Sequence, residues 1–414
     1  MRVLEGSEAA KYVSEKLVSR AAEPNAKLKR TVAQIVREVR ATGDAALLKY
    51  ARQFDGLGEK QPLLVSRQEM EAARRQVSPE FTEAIERAAR NIRRFAEWQM
   101  PKPWVRTMEP GVRVGQRVEP IASAGCYVPG GRYPLPSSLL MTVIPAQVAG
   151  VKRIQVASPR PAPETLAAAA LLGVERFYRM GGAQAIAAFA YGTESVPRVT
   201  KIVGPGNSYV TAAKKMVAFD CAIDMLAGPT EAIVFADYGN AEFYASDLVA
   251  QAEHDPETLP IFITSNARLA KEVAGAAMKM ASGNAIATQS LAANGVALVA
   301  PTLDEAFAWI NAIAAEHLTV DAVNLSKVLD AGSVFVGDYS PQSLGDYASG
   351  PNHVLPTGGV ARYRGGLSVL DYVKIISVQQ VSKSGLNRLG PAVTLLAEAE
   401  GLQAHAESVR VRMK

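Results

Sequence analysis

Phe177-Tyr-Arg-Met-Gly-Gly-Ala-Gln-Ala-Ile-Ala-Ala-Phe-Ala-Tyr-Gly192 passes from a short apolar β-like segment through a glycine turn into an alanine-rich helical segment. The same change occurs on both sides of it. Ile154-Gln-Val-Ala157 precedes a helix predicted near residues 163–173, and Lys201-Ile-Val203 precedes one near residues 208–217. Strands that alternate with helices are typical of a parallel sheet covered by helices. The stretch therefore predicts an α/β fold.

A second series of the same kind follows further along the chain. The strand predicted at Ala232–Ala236 ends the first series. The strands of the second series are predicted at Ile261–Thr264, Val296–Ala300 and Ser333–Val336, and its helices near residues 267–281, 303–315 and 323–330. Two α/β units in one chain suggest a cleft between them, which is a favoured place for a binding site. Residues 1 to about 100 and the tail from about 372 are predicted to be helical, and Val112–Val118 alternates like a strand.

Three glycine-rich segments are candidates for ligand binding. Gly181-Gly-Ala-Gln184 and Gly204-Pro-Gly-Asn207 fall at strand-to-helix turns, and Ala124–Pro134 reads as an irregular loop that carries Tyr127. Open α/β sheets bind ligands outside the carboxyl ends of their strands, and helix N-termini attract phosphate. Neither turn matches G-x-G-x-x-G, so the motifs alone name no cofactor. For the Ala124–Pro134 loop, an ordinary turn between strands remains an alternative interpretation.

Composition narrows the class of protein. The chain has 414 residues, of which 48% are hydrophobic and 21% charged, as in globular proteins. The net charge of +5 comes from scattered basic residues without interleaved aromatic residues, which favours a solvated surface over nucleic-acid binding. There is no apolar run near 18 residues and no signal sequence at the start, so we expect a cytoplasmic protein without a membrane span.

Histidine is scarce, and each histidine stands near a carboxylate or an amide. The four are His254 in Gln251-Ala-Glu-His254, His317 after Glu316, His353 near Asp346, and His405 near Glu400. Gln251 and His254 would project from one helix face and could begin a metal site, although a histidine near a helix end is more often a cap or a surface residue. Glu316-His317 would close the helix predicted at 303–315. The two cysteines, Cys126 and Cys221, form no C-x-x-C pair, so a metal would need histidine, carboxylate and amide ligands.

Nine motifs in order along nearly the whole chain resemble the histidinol dehydrogenase family. They are Tyr127-Val-Pro-Gly-Gly131, Gly181-Gly-Ala-Gln184, Gly204-Pro-Gly-Asn207, Ala227-Gly-Pro-Thr-Glu231, Gln251-Ala-Glu-His254, Glu316-His-Leu318, Gly345-Asp-Tyr-Ala-Ser-Gly350, Asn352-His-Val-Leu-Pro-Thr357 and Glu400-Gly-Leu-Gln-Ala-His405. Each motif is weak by itself, but their order is specific.

The resemblance implies a zinc- and NAD-dependent enzyme that oxidises L-histidinol to L-histidine through histidinal, the last step of histidine biosynthesis. It assigns roles residue by residue. The implied zinc ligands are Gln251, His254, Asp346 and His405; the catalytic residues are Glu316 and His317; the substrate contacts are Thr230, Gln251, His254, His317, Asp346, His353, Glu400 and His405; the NAD contacts are Tyr127, Gln184 and Asn207.

The resemblance also implies two incomplete Rossmann-like domains in an intertwined homodimer. Residues 23–126 with 232–370 would form the first domain, with the catalytic and zinc residues, and 127–231 the second, NAD-binding domain. Residues 1–22 and 371–414 would be small helical segments. The second of these would carry Glu400 and His405 into the active site of the partner.

Two positions depart from the family pattern. Thr230 stands where serine is common, and Pro351 stands where threonine is frequent, beside a substrate contact. A related dehydrogenase for another small alcohol, such as a hydroxysulfonate, is therefore the strongest alternative. A metal-assisted hydrolase would leave the two glycine turns without a task, and a non-catalytic binding protein predicts the loss of Glu316-His317 or of a ligand.

Overall fold

The computed structural model describes residues 1–19, 26–130 and 133–413. The strands are β1 (Arg2–Glu5), β2 (Leu64–Val65), β3 (Trp104–Glu109), β4 (Val112–Pro120), β5 (Ser123–Tyr127), β6 (Arg153–Ala157), β7 (Arg176–Tyr178), β8 (Lys201–Val203), β9 (Ala222–Ile223), β10 (Glu231–Phe235), β11 (Leu259–Thr264), β12 (Val296–Val299), β13 (His317–Val320), β14 (Ser333–Val336) and β15 (Val373–Val381).

The helices alternate with these strands over most of the chain. They are α1 (Gly6–Tyr12), α2 (Ala26–Thr42), α3 (Asp44–Asp55), α4 (Arg67–Arg74), α5 (Pro79–Gln99), α6 (Pro136–Val148), α7 (Pro163–Leu171), α8 (Gly182–Tyr191), α9 (Ser208–Val217), α10 (Ala241–Ala252), α11 (Ala267–Met280), α12 (Ala285–Ala293), α13 (Leu303–Ile313), α14 (Gln342–Tyr347), α15 (Lys383–Ala399) and α16 (Gln403–Met413). Within the described residues, no helix has the length and apolar character that a membrane span requires.

The first sheet has six strands in the order β1-β12-β11-β10-β13-β14, and its pairings are parallel. Successive residues of β10 point to opposite faces: Ile233 packs with helices α1 and α13, and Val234 packs with α10, α11 and α12. Both faces are covered, which explains why β10 is buried along its whole length. The chain order reverses between β10 and β13.

The second sheet also has six strands, in the order β2-β7-β6-β5-β8-β9, with only the β2–β7 pair antiparallel among the pairings described. Phe177 faces the core shared with α5 and α6, and Tyr178 faces the core shared with α2 and α8. The order reverses between β5 and β8. Gly204, at the end of β8, has φ of 112°, and a Cβ there would lie 2.1 Å from the Tyr127 carbonyl oxygen. A glycine is therefore required where the two central strands end.

A third, antiparallel sheet of three strands, β15-β4-β3, leads into the C-terminal helices. Most of β15 is exposed, and α15 packs against α16. We call residues 373–413 the C-terminal arm. Large apolar side chains of the arm are exposed: Ile375, Ile376, Val378, Val381, Val393, Leu395, Leu396, Leu402 and Val411.

The predicted α/β class is confirmed, and several predicted elements are corrected. Strand β5 continues to Tyr127, so the irregular loop starts later than Ala124; Gly131 and Arg132 of that loop lie outside the described residues. Small residues in β5 hid a central strand: a Cβ at Gly125 would lie 2.7 Å from the Phe189 ring. The helix predicted near residues 323–330 is only a 3₁₀ turn at Leu325–Lys327.

Both ends of the chain contain strands where helix was expected. Strand β1 pairs in parallel with β12, and β15 precedes the C-terminal helices. Helix α13 ends at Ile313, so Glu316-His317 does not close a helix; His317 begins β13. Helix α10 ends at Ala252, so Gln251 lies on it and His254 just beyond it.

The expected grouping of residues 23–126 with 232–370 differs from the sheets that form. Most of the described elements of residues 23–126 pack on the second sheet: β2 pairs with β7, β5 pairs with β6 and β8, and helices α2 to α5 contribute to the cores on its two faces. Strands β3 and β4 of this segment pair in the third sheet. The first sheet instead takes up β1 from the N-terminal segment. The boundary placed between residues 22 and 23 lies outside the described residues.

Candidate active site

A buried acid–base cluster lies at the amino edge of the first sheet. His317 begins β13 and pairs with Ala232 of β10, so Glu316 and Glu231 stand side by side. The backbone N–H of Glu231 donates to Glu316 Oε2 at 3.3 Å. Burial raises the pKa of Glu316 to about 7, with the charge of Glu231 acting in the same direction and His317 opposing it. A carboxyl group with such a pKa can exchange a proton near neutral pH.

Asp346 joins this cluster from helix α14. Its Oδ1 is 3.2 Å from His317 Nε2, and its Oδ2 accepts from Gln251 Nε2 at 3.1 Å. Burial opposes the charge of Asp346, but the hydrogen bond and the charge of His317 lower its pKa overall. Burial likewise lowers the pKa of His317, yet Asp346 and Glu316 raise it overall. The pair therefore favours an ionised carboxylate beside the imidazole.

The bond to Asp346 also sets the tautomer of His317. A carboxylate can only accept, so Nε2 carries the proton and Nδ1 of the neutral ring carries the lone pair. His317 Nδ1 is buried, and no protein group among the described residues hydrogen-bonds to it. The geometry thus leaves one basic nitrogen available in the cluster.

His353 connects the cluster to the second sheet. Its Nδ1 is 2.7 Å from the Asp346 carbonyl oxygen and its Nε2 is 3.2 Å from Ser138 Oγ, on the first turn of α6. The carbonyl oxygen requires a donor at Nδ1, so Nε2 accepts from Ser138 in the neutral ring. Burial is the main cause that lowers the pKa of His353, which favours this neutral form. The neighbouring Asn352 donates to the Met141 carbonyl oxygen at 2.6 Å. The amino edge of the first sheet is therefore tied to the helix that follows β5.

Gln251, His254 and Asp346 form part of the donor set that the sequence suggested for a metal. Gln251 Oε1 is buried, with no hydrogen-bond donor from the described residues, as expected of an oxygen reserved for another ligand. His254 follows α10 and acts electrostatically on Asp346. The described residues contain no cluster of three or more His, Cys, Asp or Glu side chains that could hold a metal. A single chain still offers the Gln251 amide, the His254 imidazole and the Asp346 carboxylate, and these groups fit a metal site with N and O ligands that lacks at least one ligand.

His405 and Glu400 do not join these residues within the chain. Both are exposed on the C-terminal arm: Glu400 follows α15, and His405 lies on α16. Thr230, in contrast, directly precedes β10, next to Glu231, and is half-buried. The structure therefore assembles Glu316, His317, Gln251, Asp346 and His353 and leaves the two arm residues apart.

The predicted nucleotide contacts lie at the carboxyl edge of the second sheet. Tyr127 ends β5, and its hydroxyl accepts from the Gly182 N–H at 3.2 Å. Gln184 is buried on α8 and donates to Asp55 Oδ2 at 3.0 Å. Asn207 caps α9, accepting from the N–H groups of Tyr209 and Val210 at 3.0 and 3.2 Å. Each side chain shapes a glycine turn at the crevice where the order of strands reverses.

Sequence reasoning missed the residues that support these turns. Asp55, from the end of α3, accepts from the Gly181 N–H at 2.8 Å as well as from Gln184. Lys214 and Asp224 form a buried ion pair at 2.6 Å and hold Gly204 through its carbonyl oxygen and its N–H. Asp55 stands in Phe54-Asp-Gly56, where a glycine after a helical run marks a helix end, but that signal does not reveal its distant partners.

The structure combines a buried histidine base, His317, with the Glu316 carboxyl group, whose pKa is raised to about 7, and a crevice on the adjoining parallel sheet. This combination is typical of an α/β enzyme whose reaction includes proton transfer. The comparisons with known proteins narrow that class. A family model described as histidinol dehydrogenase matches residues 18–413. The histidinol dehydrogenase of Geobacter sulfurreducens is 44% identical over 412 residues, which cover 96% of both chains.

Further relatives agree with that match. The enzyme of the same name from Methanosarcina barkeri is 45% identical over 397 residues, covering 92% of this chain and 91% of its own. The crystal structure of histidinol dehydrogenase from Elizabethkingia anophelis matches with a TM-score of 0.94 and 36% identity over 100% of this chain and 98% of the other. The chain belongs to the histidinol dehydrogenase family and is an oxidoreductase. The resemblance of the nine motifs is confirmed.

Proposed function

We propose that this chain oxidises L-histidinol to L-histidine through histidinal, with NAD accepting a hydride at each of the two oxidations. The observation that carries the mechanism is the His317–Asp346 hydrogen bond of 3.2 Å, which directs the lone pair of His317 Nδ1 away from Asp346. In each oxidation, Nδ1 takes the proton of a substrate hydroxyl while hydride passes from the substrate carbon to NAD. Asp346 stabilises the imidazolium ion that forms.

Glu316 serves the step between the two oxidations. Histidinal must add water before a second hydride can leave, and Glu316 accepts the proton of that water as it attacks the aldehyde carbon. A carboxyl group with a pKa raised to about 7 is a far stronger base than an exposed glutamate, yet it is still ionised in part at neutral pH. His317 and Glu316 thus divide the proton transfers between them.

Zinc would be held by Gln251, His254 and Asp346 of one chain and by His405 of a second copy. When bound, zinc would supply a Lewis acid that orients and polarises the substrate hydroxyl. Thr230, His353 and Glu400 would contact the substrate. The buried Gln251 Oε1 without a protein donor supports this assignment, since it is an oxygen placed at the cluster with its amide nitrogen already engaged.

NAD would lie across the crevice between β5 and β8 of the second sheet, next to Tyr127, Gln184 and Asn207. Helices α8 and α9 begin at this edge, and the partial positive charge at their N-termini favours the pyrophosphate. His353 and Ser138 connect this edge to the acid–base cluster, which supports hydride transfer between the two sites.

We further propose that the enzyme is a homodimer whose C-terminal arms exchange. The exposed apolar side chains of the arm support this, because a strand and two helices with so much uncovered apolar surface need a partner. The exchange would bring Glu400 and His405 to the other chain's Gln251, His254 and Asp346. We expect the enzyme to act in the cytoplasm on this small molecule.

The first test is the stoichiometry of the reaction. Dialysed enzyme with zinc restored should form two NADH for each L-histidinol consumed, with histidine as the product. One NADH and an accumulated aldehyde would contradict the role of Glu316. Zinc and NAD binding without turnover of histidinol would favour a dehydrogenase for another small alcohol, and Pro351 beside the Asn352-His353 contact makes that the alternative to screen.

The shared site has its own test. Chains carrying His317→Ala and chains carrying His405→Ala should each be inactive, but coexpressed they form mixed dimers with one intact site. Random pairing then restores about a quarter of wild-type activity, because about half of the dimers are mixed and each has one working site of two. No restoration in verified mixed dimers would place His405 in its own chain's site or outside any site.

A further inference from the structure

Residues 224–230 carry the chain from the second sheet to the first. They follow strand β9 of the second sheet and lead directly into β10, a central strand of the first sheet. At their start, Asp224 accepts from the Gly204 N–H at 2.7 Å; at their end stands Thr230, directly before Glu231. We call residues 224–230 the crossing segment. It connects the glycine turn proposed for NAD with the residue proposed to contact the substrate.

Two hydrogen bonds fasten the end of the crossing segment to a later part of the chain. The Gly228 N–H donates to the Thr357 hydroxyl oxygen, and the Gly358 N–H donates to Glu231 Oε1 at 2.9 Å. The two bonds run in opposite directions between the same two stretches. Both side chains are buried, with exposed fractions of 3% for Thr357 and 2% for Glu231. We call this pair of bonds the clasp.

The local sequence explains why residues 357 and 358 face the crossing segment together. The Val360 N–H donates to the Thr357 carbonyl oxygen at 3.2 Å, which closes a turn whose central residues are Gly358 and Gly359. Their φ angles are 63° and 75°, as in a type I′ turn, and glycine adopts such angles without strain. Thr357 ends one of the nine motifs and Glu231 ends another. The clasp therefore joins two motifs that are far apart in the chain.

The clasp holds the backbone on both sides of Thr230. Gly228 lies two residues before it, and Glu231 directly follows it. The Thr230 carbonyl oxygen accepts from the Leu259 N–H at 2.9 Å, and the Glu231 N–H donates to Glu316 Oε2 at 3.3 Å. These bonds leave the backbone of Thr230 little freedom, so its hydroxyl is presented from a fixed position beside the acid–base cluster.

We propose that Thr357 is a positioning residue, which acts through the Gly228 N–H to hold Thr230 against the substrate. The effect rests on the proposed function, in which Thr230 contacts histidinol. Without the Thr357 hydroxyl, the Gly228 N–H loses its acceptor and the backbone before Thr230 can move. A shift on the order of 1 Å is enough to break a hydrogen bond, so the contact with the substrate would contribute less to binding.

The start of the crossing segment keeps its contacts when the clasp is broken. Asp224 pairs with Lys214 at 2.6 Å, and the Thr211 hydroxyl of α9 donates to the Ala227 carbonyl oxygen at 2.8 Å. Neither bond involves Thr357. Loss of the Thr357 hydroxyl should therefore weaken the binding of histidinol and leave the binding of NAD largely unchanged.

Thr357→Val is the decisive variant, because it keeps the shape of the side chain and removes the acceptor of the Gly228 N–H. We expect KM for histidinol to rise about tenfold, as the loss of one hydrogen bond to the substrate implies, with kcat within about threefold and KM for NAD within about twofold of wild type. Thr357→Ser retains the hydroxyl and should restore most of the KM for histidinol. An unchanged KM for histidinol in Thr357→Val overturns the proposal.

Thr264→Val is the matched control. The Thr264 hydroxyl oxygen likewise accepts from a backbone N–H, that of Asn266, at 2.9 Å, and Thr264 is buried in β11 at the opposite, carboxyl edge of the first sheet. This variant should lose as much stability as Thr357→Val in thermal unfolding and keep the wild-type KM for histidinol. If that KM rises equally in both variants, the effect of Thr357 is one of general stability and the proposal fails.

Hydrogen exchange of the crossing segment, measured by mass spectrometry, gives a readout without turnover. The Gly228 amide should exchange about tenfold faster in Thr357→Val than in wild type, and at the wild-type rate in Thr264→Val. Equal exchange in Thr357→Val and wild type refutes the positioning role. A wild-type enzyme that does not oxidise histidinol would refute the proposed function alone, because the exchange rate still decides whether Thr357 holds the crossing segment and the KM comparison then applies to the alcohol that is oxidised.

Discussion

The amino edge of the first sheet and the carboxyl edge of the second sheet present opposite ends of their helices. At the first, α10 and α13 end, and Gln251 and Glu316 stand near those ends. At the second, α8 and α9 begin, next to Gln184 and Asn207. Helix C-termini carry partial negative charge and favour cations, whereas N-termini favour anions. The helix ends therefore favour a cation at the amino edge of the first sheet and an anion at the carboxyl edge of the second.

The carboxyl edge of the first sheet is poorly suited to a nucleotide, and the acid–base cluster lies at the opposite, amino edge. Ligands in open α/β sheets usually bind at this edge, at the reversal between β10 and β13. Here the reversal encloses a cavity of about 30 Å³ lined by Asp237, Asp321, Asp338 and Tyr244, among others. This volume is about that of one water molecule, and three carboxylates repel a pyrophosphate. A nucleotide is therefore expected only on the second sheet.

The largest effect should come from the base at the amino edge. His317→Ala should lower kcat by about a thousandfold or more, because general-base catalysis contributes about a hundredfold to ten-thousandfold and both oxidations use it. NAD binding, measured by calorimetry, should remain at the wild-type level, because the proposed NAD crevice lies on the second sheet. Loss of NAD affinity in this variant would show that the two edges are not separate sites.

Glu316→Gln should separate the two oxidations. Glutamine can still accept the Glu231 N–H, but it cannot take a proton from water. We expect oxidation of supplied histidinal to fall by about a hundredfold or more, while oxidation of histidinol to histidinal falls much less. Rapid-quench analysis should then show histidinal accumulating with one NADH formed. Equal loss in both steps would contradict the division of roles.

The pH dependence of the aldehyde step follows from the same carboxyl group. Glu316 must be ionised to act as a base, and burial raises its pKa to about 7. Through Glu316 alone, the rate of histidinal oxidation should therefore fall about tenfold for each pH unit below about 7, and protonation of His317, whose pKa is also raised, should steepen this fall. In Glu316→Gln, the part of this dependence that comes from Glu316 should disappear. A wild-type profile that is flat between pH 5 and 8 would contradict the raised pKa.

A buried ion pair gives the corresponding test on the second sheet. Lys214→Met leaves Asp224 without its partner, and removing one member of a buried pair costs about 3–5 kcal/mol of unfolding free energy. The loosened Gly204 turn should raise KM for NAD by about tenfold, with KM for histidinol little changed. Lys215→Met makes the same substitution at the next, exposed position of α9 and should change neither quantity. If only the KM for histidinol rose, the Gly204 turn would contribute to the histidinol site and not to the proposed NAD site.

The sequence predicted most elements of both sheets, because alternating apolar strands and alanine-rich helices are local signals. It missed β5, whose small residues Ala124, Gly125 and Cys126 are selected by close packing rather than by β propensity. It also missed β1, since four residues at the start of a chain show no periodicity. Pairing of such segments depends on distant strands, which no local pattern reveals.

The same difference between local signals and distant partners applies to the residues of the candidate site. Glu316, His317, Gln251 and Asp346 were expected together through the family resemblance, and the structure places them together. Asp55 and Lys214 were not expected, because their partners lie on other elements. A buried carboxylate can be recognised as a support only when the groups that it binds are known. The arm residues Glu400 and His405 remain predictions for the dimer.

The smallest expected effect is on the KM for NAD, and it comes from comparing two helix caps at the carboxyl edges of the two sheets. Asn207 caps α9 on the second sheet, and Asn266 caps α11 on the first; each accepts from two backbone N–H groups, Asn266 at 3.1 and 3.2 Å. Either change to alanine should cost about 1 kcal/mol of stability. Only Asn207→Ala should raise KM for NAD, by a few fold, as about 1 kcal/mol lost from a binding contact implies.

Asn266→Ala is a demanding control, because Asn266 Nδ2 also donates to the Asp237 carbonyl oxygen at 3.1 Å. It should therefore lose at least as much stability as Asn207→Ala in urea unfolding, while KM for NAD stays at the wild-type value. If both variants raise that KM equally, the effect follows from stability, and the assignment of NAD to the second sheet loses its support from Asn207. If only Asn207→Ala raises it, the phosphate-binding edge is localised to one of two sheets with the same cap chemistry.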